Sequence, residues 1–216
     1  MTFTVNPNVS VVYYSATGTV AEIAREIALW AEKAGAAVRL RRINELAPRS
    51  VIEANPRWSA HAAATVDVPV ATAEDLLWAD AVLMGTPTRF GNMATELKHF
   101  IDSLGGAWRR GLLADKVYSA FTASSSPHGG QESTLLALTT SFYHFGGIVV
   151  APGYTDAHKH ADGNPYGTSY CTQGGRRSID DVTRQAARVQ AERVVTMSRR
   201  LCLSNPVAPC QGEGTR

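Results

Sequence analysis

The sequence predicts an α/β fold: a doubly wound, five-stranded parallel sheet in the order 2-1-3-4-5, with helices on both faces. Three observations predict it. Short runs of β-formers alternate with helical repeats along most of the chain. The run Ala81-Val82-Leu83-Met84 is apolar at every position, as a central strand covered on both faces requires. The first strand, Val9-Ser10-Val11-Val12-Tyr13-Tyr14, passes through a short polar loop into a helix and then a second strand. That β-α-β unit implies a parallel pair with a right-handed crossover.

The elements follow in order. Val20, Ile23, Ala24, Ile27, Ala31 and Ala34 recur at helical spacing, and Gly35 ends that helix. Ala37–Ile43 alternates as a short strand, and its cluster Arg39-Leu40-Arg41-Arg42 is expected to present a solvated basic face. Residues 44–78 then break the rhythm. Pro48, Pro56 and Pro69 and an alanine-rich stretch around His61 point to an inserted excursion with short helices of its own, Ala73–Trp78 the last of them. Trp58 within it packs against the body or against a partner subunit.

The third strand, Ala81–Gly85, leads to a helix over Ala94–Leu104 that Gly105-Gly106 is expected to stop. Lys116–Thr122 is the fourth strand, Gln131–Phe145 the next helix, and Ile148–Ala151 the fifth strand. Residues 152–179 read as a long loop, and Ile179–Cys202 as the last helix. One domain is expected over residues 1–203, with a loose tail from 204 to 216.

Composition narrows the function. The chain has 216 residues, 44% hydrophobic and 19% charged, which describes a globular protein and excludes a disordered one. A net charge of +2, with no basic stripe interleaved with aromatics, gives no reason to expect a nucleic-acid partner. No apolar run reaches the ~18 residues of a membrane span, and the N-terminus lacks the pattern of a signal peptide. Cys171, Cys202 and Cys210 have neither disulfide nor zinc-site spacing. Reduced thiols in a cytoplasmic protein are the expectation, with neither a metal site nor a membrane partner.

Three loops follow strands 1, 3 and 4 and emerge together at the carboxyl edge of the sheet. The switch point between strands 1 and 3 lies there, where doubly wound sheets bind ligands. The first loop, Ser15-Ala16-Thr17-Gly18-Thr19 before Val20, is neither G-x-G-x-x-G nor a P-loop. Its three hydroxyls and a helix N-terminus suit a phosphate monoester, although an ordinary Ser/Thr helix cap would read the same way.

The second loop is Thr86-Pro87-Thr88-Arg89-Phe90-Gly91-Asn92. Pro87 stiffens it, Phe90 is suited to lie on a flat ring, Arg89 offers a cation, and the backbone of Thr88 to Phe90 offers donors. The alternative is a turn with Phe90 in the core and Arg89 in solvent. The third loop, Ala123-Ser124-Ser125-Ser126-Pro127-His128-Gly129-Gly130, supplies hydroxyls and glycines that permit close approach.

These segments resemble, in order, the WrbA-like (tryptophan-repressor-binding-protein) family. They are joined in that resemblance by Gly105-Gly106-Ala107-Trp108, His128-Gly129-Gly130-Gln131-Glu132 and Pro165-Tyr166-Gly167. The resemblance covers about residues 9–203. It implies a flavodoxin-like fold, FMN as cofactor, NADH or NADPH as hydride donor, and two-electron reduction of a quinone or similar flat aromatic acceptor by ping-pong hydride transfer through the flavin. It further implies a homotetramer with the FMN sites near subunit contacts.

By the same resemblance, Ser15, Ala16, Thr17, Gly18, Thr19 and Val20 cradle the phosphate. The ring lies between Pro87, Thr88, Arg89, Phe90, Gly91 and Asn92 on one side and Ala123, Ser124, Ser125, Ser126, Pro127, His128 and Gly129 on the other. His144 reaches the flavin pocket, with Arg89 as its catalytic companion, and Trp108 and Thr17 border the substrate. Without the resemblance, His144 reads first as a helix-dipole partner.

Two positions depart from the family pattern. Thr17 stands where an aromatic residue is common, and Ser125-Ser126-Pro127 where a glycine and a threonine are frequent; Pro127 has no N–H to donate. His158-Lys159-His160 reads as a solvated turn and not a metal pair, and no G-x-S-x-G elbow supports hydrolysis. A flavodoxin-like electron carrier without turnover of its own, and a flavin-free regulatory or structural oligomer, are the alternatives to the reductase.

Overall fold

The structure is a computed structural model and describes residues 6–174 and 178–204. The tail expected at the C-terminus lies, from residue 205 on, outside the described residues. Five strands form a parallel sheet in the order β2-β1-β3-β4-β5. They are β1 (Asn8–Tyr13), β2 (Ala37–Arg42), β3 (Ala81–Pro87), β4 (Val117–Ser124) and β5 (Ile148–Val149). A sixth, β6 (Thr168–Cys171), also pairs with β4.

Helix α1 (Thr19–Lys33) and the last helix, α9 (Asp181–Ser204), cover one face of the sheet. The excursion after β2 holds α2 (Arg49–Glu53), α3 (Pro56–Ala64) and α4 (Ala73–Trp78). With α5 (Thr95–Ser103), α6 (Gly105–Arg109) and α7 (Gln131–His144), α4 covers the other face. Among the described residues no helix is long and apolar enough to cross a membrane.

The structure corrects four expectations. Gly105-Gly106 does not stop the helix before it but opens α6. Both glycines keep negative φ and continue helical turns, unlike Gly35 and Gly146, whose left-handed φ of +90° and +75° ends a helix. The basic cluster on β2 is not a solvated face either. Arg39 and Arg41 both reach the buried carboxylate of Asp75, at 3.3 and 2.9 Å, and the Arg39 guanidinium lies 4.1 Å over the Trp78 ring. Arg42 donates to the Val68 carbonyl at 2.9 Å and bridges to Val70. The cluster therefore clamps the excursion against the sheet edge, which covers an otherwise open strand.

The third correction concerns the fifth strand. It is split: β5 pairs only with Val117 and Tyr118, and β6 resumes the same lane opposite Phe121–Ser124. The chain between them forms α8 (Ala157–Asp162), which is the fourth correction. His158-Lys159-His160 lies on that helix, and its central Lys159 is fully buried, paired with Asp162 and donating to the Gly167 carbonyl at 3.2 Å. Burial outweighs the ion pair here, holding the Lys159 ammonium low and the Asp162 carboxyl high. Gly167 brings the returning chain so close to β4 that a Cβ would sit 2.2 Å from the Ala120 carbonyl oxygen. Among the described residues no cluster of ligands could hold a metal ion.

The gap between β5 and β6 leaves Ser119 and Ala120 on β4 without a strand neighbour on that side, while β3 still pairs with them on the other. Gln190 of α9 fills it. Its amide nitrogen donates to Ser119 Oγ at 2.7 Å and to the Ala120 carbonyl at 2.8 Å, and its oxygen accepts the Thr168 N–H at 2.8 Å. Gln190 is fully buried. Gln190→Leu strands two buried backbone groups and is expected to lower the unfolding free energy by about 2–4 kcal/mol, read as a shift in the urea midpoint.

Candidate functional site

The loops after β1, β3 and β4 meet in a cleft of about 160 Å³ at the carboxyl edge of the sheet. Of the residues expected there, Ser15, Ala16, Thr17, Thr19, Val20, Pro87, Thr88, Arg89, Ala123, Ser124 and Ser125 line it, together with Thr172. Among the described residues its one lining cation is Arg89, and no carboxylate lines it. Thr172 escaped the sequence reading because β6, which delivers it, lay in a stretch with no recognisable period. Its N–H is held by the Ser124 carbonyl at 2.8 Å.

The first loop settles between its two readings. The cap of α1 is Gly18, at φ +102°, and no side chain caps the helix. Neither Thr17 nor Thr19 acts as a cap residue. The helix thus opens with bare N–H groups and its partial positive charge directed at the cleft. The Gly18 N–H turns back instead to Ser15 Oγ at 3.1 Å, which leaves the Ser15 proton available to a ligand. The N–H groups of Ala16, Thr17 and Thr19 bond to no other protein group among the described residues. This donor set fits a phosphate dianion.

The second loop is a tight hairpin. Arg89 and Asn92 exchange backbone hydrogen bonds at 2.7 and 3.0 Å, and the two residues between, Phe90 and Gly91, have φ +52° and +77°. That is the geometry of a type I′ turn. Phe90 holds a strained left-handed conformation with its ring fully exposed, so the alternative of a core phenylalanine fails.

Behind the turn, Thr88 Oγ1 donates to the Gly129 carbonyl at 3.1 Å and accepts from Thr134 Oγ1 at 2.8 Å. Ser124 Oγ donates to the Ser126 carbonyl at 2.7 Å and accepts from Gln131. Both hydroxyls are therefore spent, that of Thr88 on joining the second loop to the third and that of Ser124 within the third loop and on α7, and ligand donors there must come from the backbone, from Arg89 and from Ser125. Ser126, Pro127 and His128 are exposed at the rim, and Gly129, whose Cβ would lie 2.6 Å from that of Ser124, lets the loop turn back.

Trp108 and His144 are not part of this cleft within one chain. His144 ends α7, thirteen residues after Gln131, or about 20 Å along a helix. It lies at the opposite end of the sheet, exposed, and its carbonyl accepts the Trp108 Nε1–H at 2.7 Å. The two residues are neighbours of each other. Trp108, Leu112, Leu136, Tyr143 and Ile148 are exposed large apolar side chains in the same segments.

The excursion adds a residue that no motif singled out. His61 on α3 packs against the back of the first loop, its Nδ1 standing 3.4 Å from where a Cβ on Gly18 would be. With Tyr13, Tyr14, Arg42, Glu45 and Trp58, it borders a second cavity of about 110 Å³ that shares Ser15 with the cleft. The Tyr14 hydroxyl and the Trp58 Nε1–H both donate to Glu45 Oε2, at 3.0 and 2.9 Å, and so fix α3 to the end of β1.

Comparison with known proteins places the chain. The family described as NADPH-dependent FMN reductase matches residues 11–162. The chain belongs to that family. It is 42% identical over 193 residues to the NAD(P)H dehydrogenase (quinone) of Deinococcus radiodurans, covering 89% of this chain and 96% of the relative. A protein of the same description from Rhodopseudomonas palustris is 39% identical over 199 residues, covering 89% and 98%. The WrbA-like flavodoxin of Agrobacterium tumefaciens shares the fold, with a TM-score of 0.65 at 23% identity over 90% of this chain and 99% of that one. The WrbA-like membership implied by the loops and the flavodoxin-like fold both stand.

Burial, and then the Arg25 guanidinium, hold the His61 imidazole below its ordinary value of 6.5, against the raising effect of the Ser15 carbonyl. Arg25 faces it from α1, and Arg42 and Glu45 border the same cavity. A folded value below the unfolded one means that the unfolded chain takes up the proton first as pH falls. The stability from neutral His61 is present above about pH 6.5 and is lost on acidification toward the folded value. The melting temperature of the ligand-free protein is expected to fall more steeply from neutral to mildly acidic pH than that of His61→Gln.

Proposed function

We propose that this chain is an FMN-dependent NAD(P)H:quinone oxidoreductase, built as one domain over residues 1–203. The observation that carries the reading is the cleft itself. Uncapped backbone donors and hydroxyls gather at the switch point, with one cation and no carboxylate among the described lining residues, on a chain of the FMN reductase family.

Residues 15–20 hold the phosphate with neutral donors and the helix N-terminus. Pro87, Thr88 and Arg89 border one side of the isoalloxazine, and Ala123, Ser124 and Ser125 the other. When bound, the flavin supplies the two-electron exchange: NAD(P)H gives up a hydride and leaves as NAD(P)+, and the quinone then receives that hydride equivalent and a proton. Arg89 presents its guanidinium to the electron-rich edge of the ring system. Thr17, smaller than the aromatic residue common there, leaves the mouth of the cleft open to flat substrates.

The assembly is a homotetramer in the cytoplasm, and the separation between the cleft and the Trp108–His144 pair supports it. Within a protomer the two lie at opposite ends of the sheet, so Trp108 and His144 serve the cleft of a neighbouring subunit. There Trp108 borders the quinone, and His144 donates a hydrogen bond or a proton to its oxygen. The exposed rings of Phe90, Trp108 and Tyr143 are the apolar surface that such contacts cover.

Two measurements test the reading. FMN titration followed by absorbance, then NADH and NADPH oxidation with benzoquinone, is expected to give a flavin spectrum and sustained turnover. Flavin binding without turnover leaves an electron carrier, and no binding overturns the proposal. Arg89→Ala is expected to retain FMN and to lower quinone kcat/KM by about 10–100-fold, the worth of one charged hydrogen-bond donor. Sedimentation of Trp108→Ser is expected to shift the tetramer toward smaller species.

A further inference from the structure

The second cavity, behind the first loop, has one carboxylate among its described lining residues, and that carboxylate, Glu45, is already saturated. Its Oε2 accepts the Tyr14 hydroxyl and the Trp58 Nε1–H, at 3.0 and 2.9 Å, and its Oε1 accepts the N–H groups of Leu46 and Ala47, both at 2.9 Å. A carboxylate with four donors has no lone pair left for a ligand. The Thr65 hydroxyl is likewise spent, on the His61 carbonyl at 2.8 Å. What remains are donors. The Tyr13 hydroxyl belongs to a residue only 1% exposed and meets no partner among the described residues. Arg42 uses Nε on the Val68 carbonyl at 2.9 Å, and its terminal nitrogens bond no protein group among the described residues.

We propose that this cavity is a binding site for a small monovalent anion of the size of chloride, held between the Tyr13 hydroxyl and the Arg42 guanidinium. A buried hydroxyl without a partner loses its hydration for no return, and an anion that accepts its proton restores the loss. Burial raises the Tyr13 phenol above its ordinary value while the Arg25 and Arg42 guanidiniums oppose that, so the hydroxyl keeps its proton and sits in a positive field. His61, held below its ordinary value, is a neutral neighbour at neutral pH. Charge and size choose the ion. One guanidinium beside the ionised Glu45 does not balance a dianion, and a volume of about 110 Å³ excludes large organic anions. The lining residue Val66 is exposed, so the cavity lies within reach of solvent ions. The site is separate from the cleft, although both share Ser15, and the inference holds whether or not the cleft takes FMN.

The test is the melting temperature of the full chain, as wild type and Tyr13→Phe, with gluconate exchanged for chloride at constant ionic strength. Gluconate is too large for the cavity, and Phe removes only the hydroxyl. In gluconate alone Tyr13→Phe is expected to melt no lower than wild type, because the hydroxyl it loses has no protein partner. At about 200 mM chloride the wild type is expected to gain about 4–7 °C, which a dissociation constant of about 10 mM gives, and Tyr13→Phe about a third of that. Crystals grown in bromide are expected to show an anomalous peak within hydrogen-bonding distance of the Tyr13 hydroxyl. A cavity filled by water leaves no chloride dependence, and that result overturns the proposal. An equal gain in Tyr13→Phe, or bromide at surface positions alone, means an adventitious ion only and overturns it as well.

Discussion

The uncapped start of α1 is the constraint on which the site depends. A helix N-terminus exposes several N–H groups that the helix cannot satisfy. Most chains answer with a Ser, Thr, Asp or Asn cap. Here Gly18 holds the cap position, and the nearest hydroxyl, on Ser15, accepts the Gly18 N–H. The donors beyond it remain free, and the fold sets them at the one edge where β1 and β3 send their chains apart. Everything else near the cleft stiffens that arrangement. The Thr88–Thr134–Gly129 bonds lock the second loop to the third, and the Ser124–Thr172 bond ties the third to β6.

The split fifth strand shows how far the sheet bends its own rules to deliver Thr172. A strand continuous from Ile148 would have run past β4 without releasing the chain. Instead the chain leaves after two residues, folds α8 around the buried Lys159–Asp162 pair, and returns at Gly167. The cost is two β4 residues with no strand on their outer side, and Gln190 meets it with one side-chain amide acting as a strand surrogate. The Gln190 amide thereby satisfies the Ala120 carbonyl and the Thr168 N–H, the backbone groups that the gap would otherwise leave unpaired.

Most of the fold was legible in the sequence because its signals are local. The helical spacing from Val20, the apolar run Ala81–Met84 and the left-handed glycine stops at 35 and 146 each report on a few neighbouring residues. Gly105-Gly106 misled because a glycine pair permits a stop without imposing one, and φ stayed negative. β6 was missed because Thr168–Cys171 is short and gains its order from β4 and α9. Arg39 and Arg41 read as solvated because their partner, Asp75, is more than thirty residues away. The three loops were placed correctly at one edge. What sequence could not give was which hydroxyls are already spent, since Thr88 and Ser124 look like ligand donors until their partners are seen.

Pro127 removes one N–H, which at first weakens the case for a flavin. In the structure Pro127 lies exposed at the rim and does not line the cleft, so the missing N–H is not one that the cleft loses. The donors that do face it come from the first loop, from Arg89 and from Ser125. In the proposed FMN site the first loop therefore offers more polar donors than the second and third, and α3 packs behind that loop. An excursion that looks dispensable to the sheet is, through His61 and Glu45, joined to the loop that the whole site is built around.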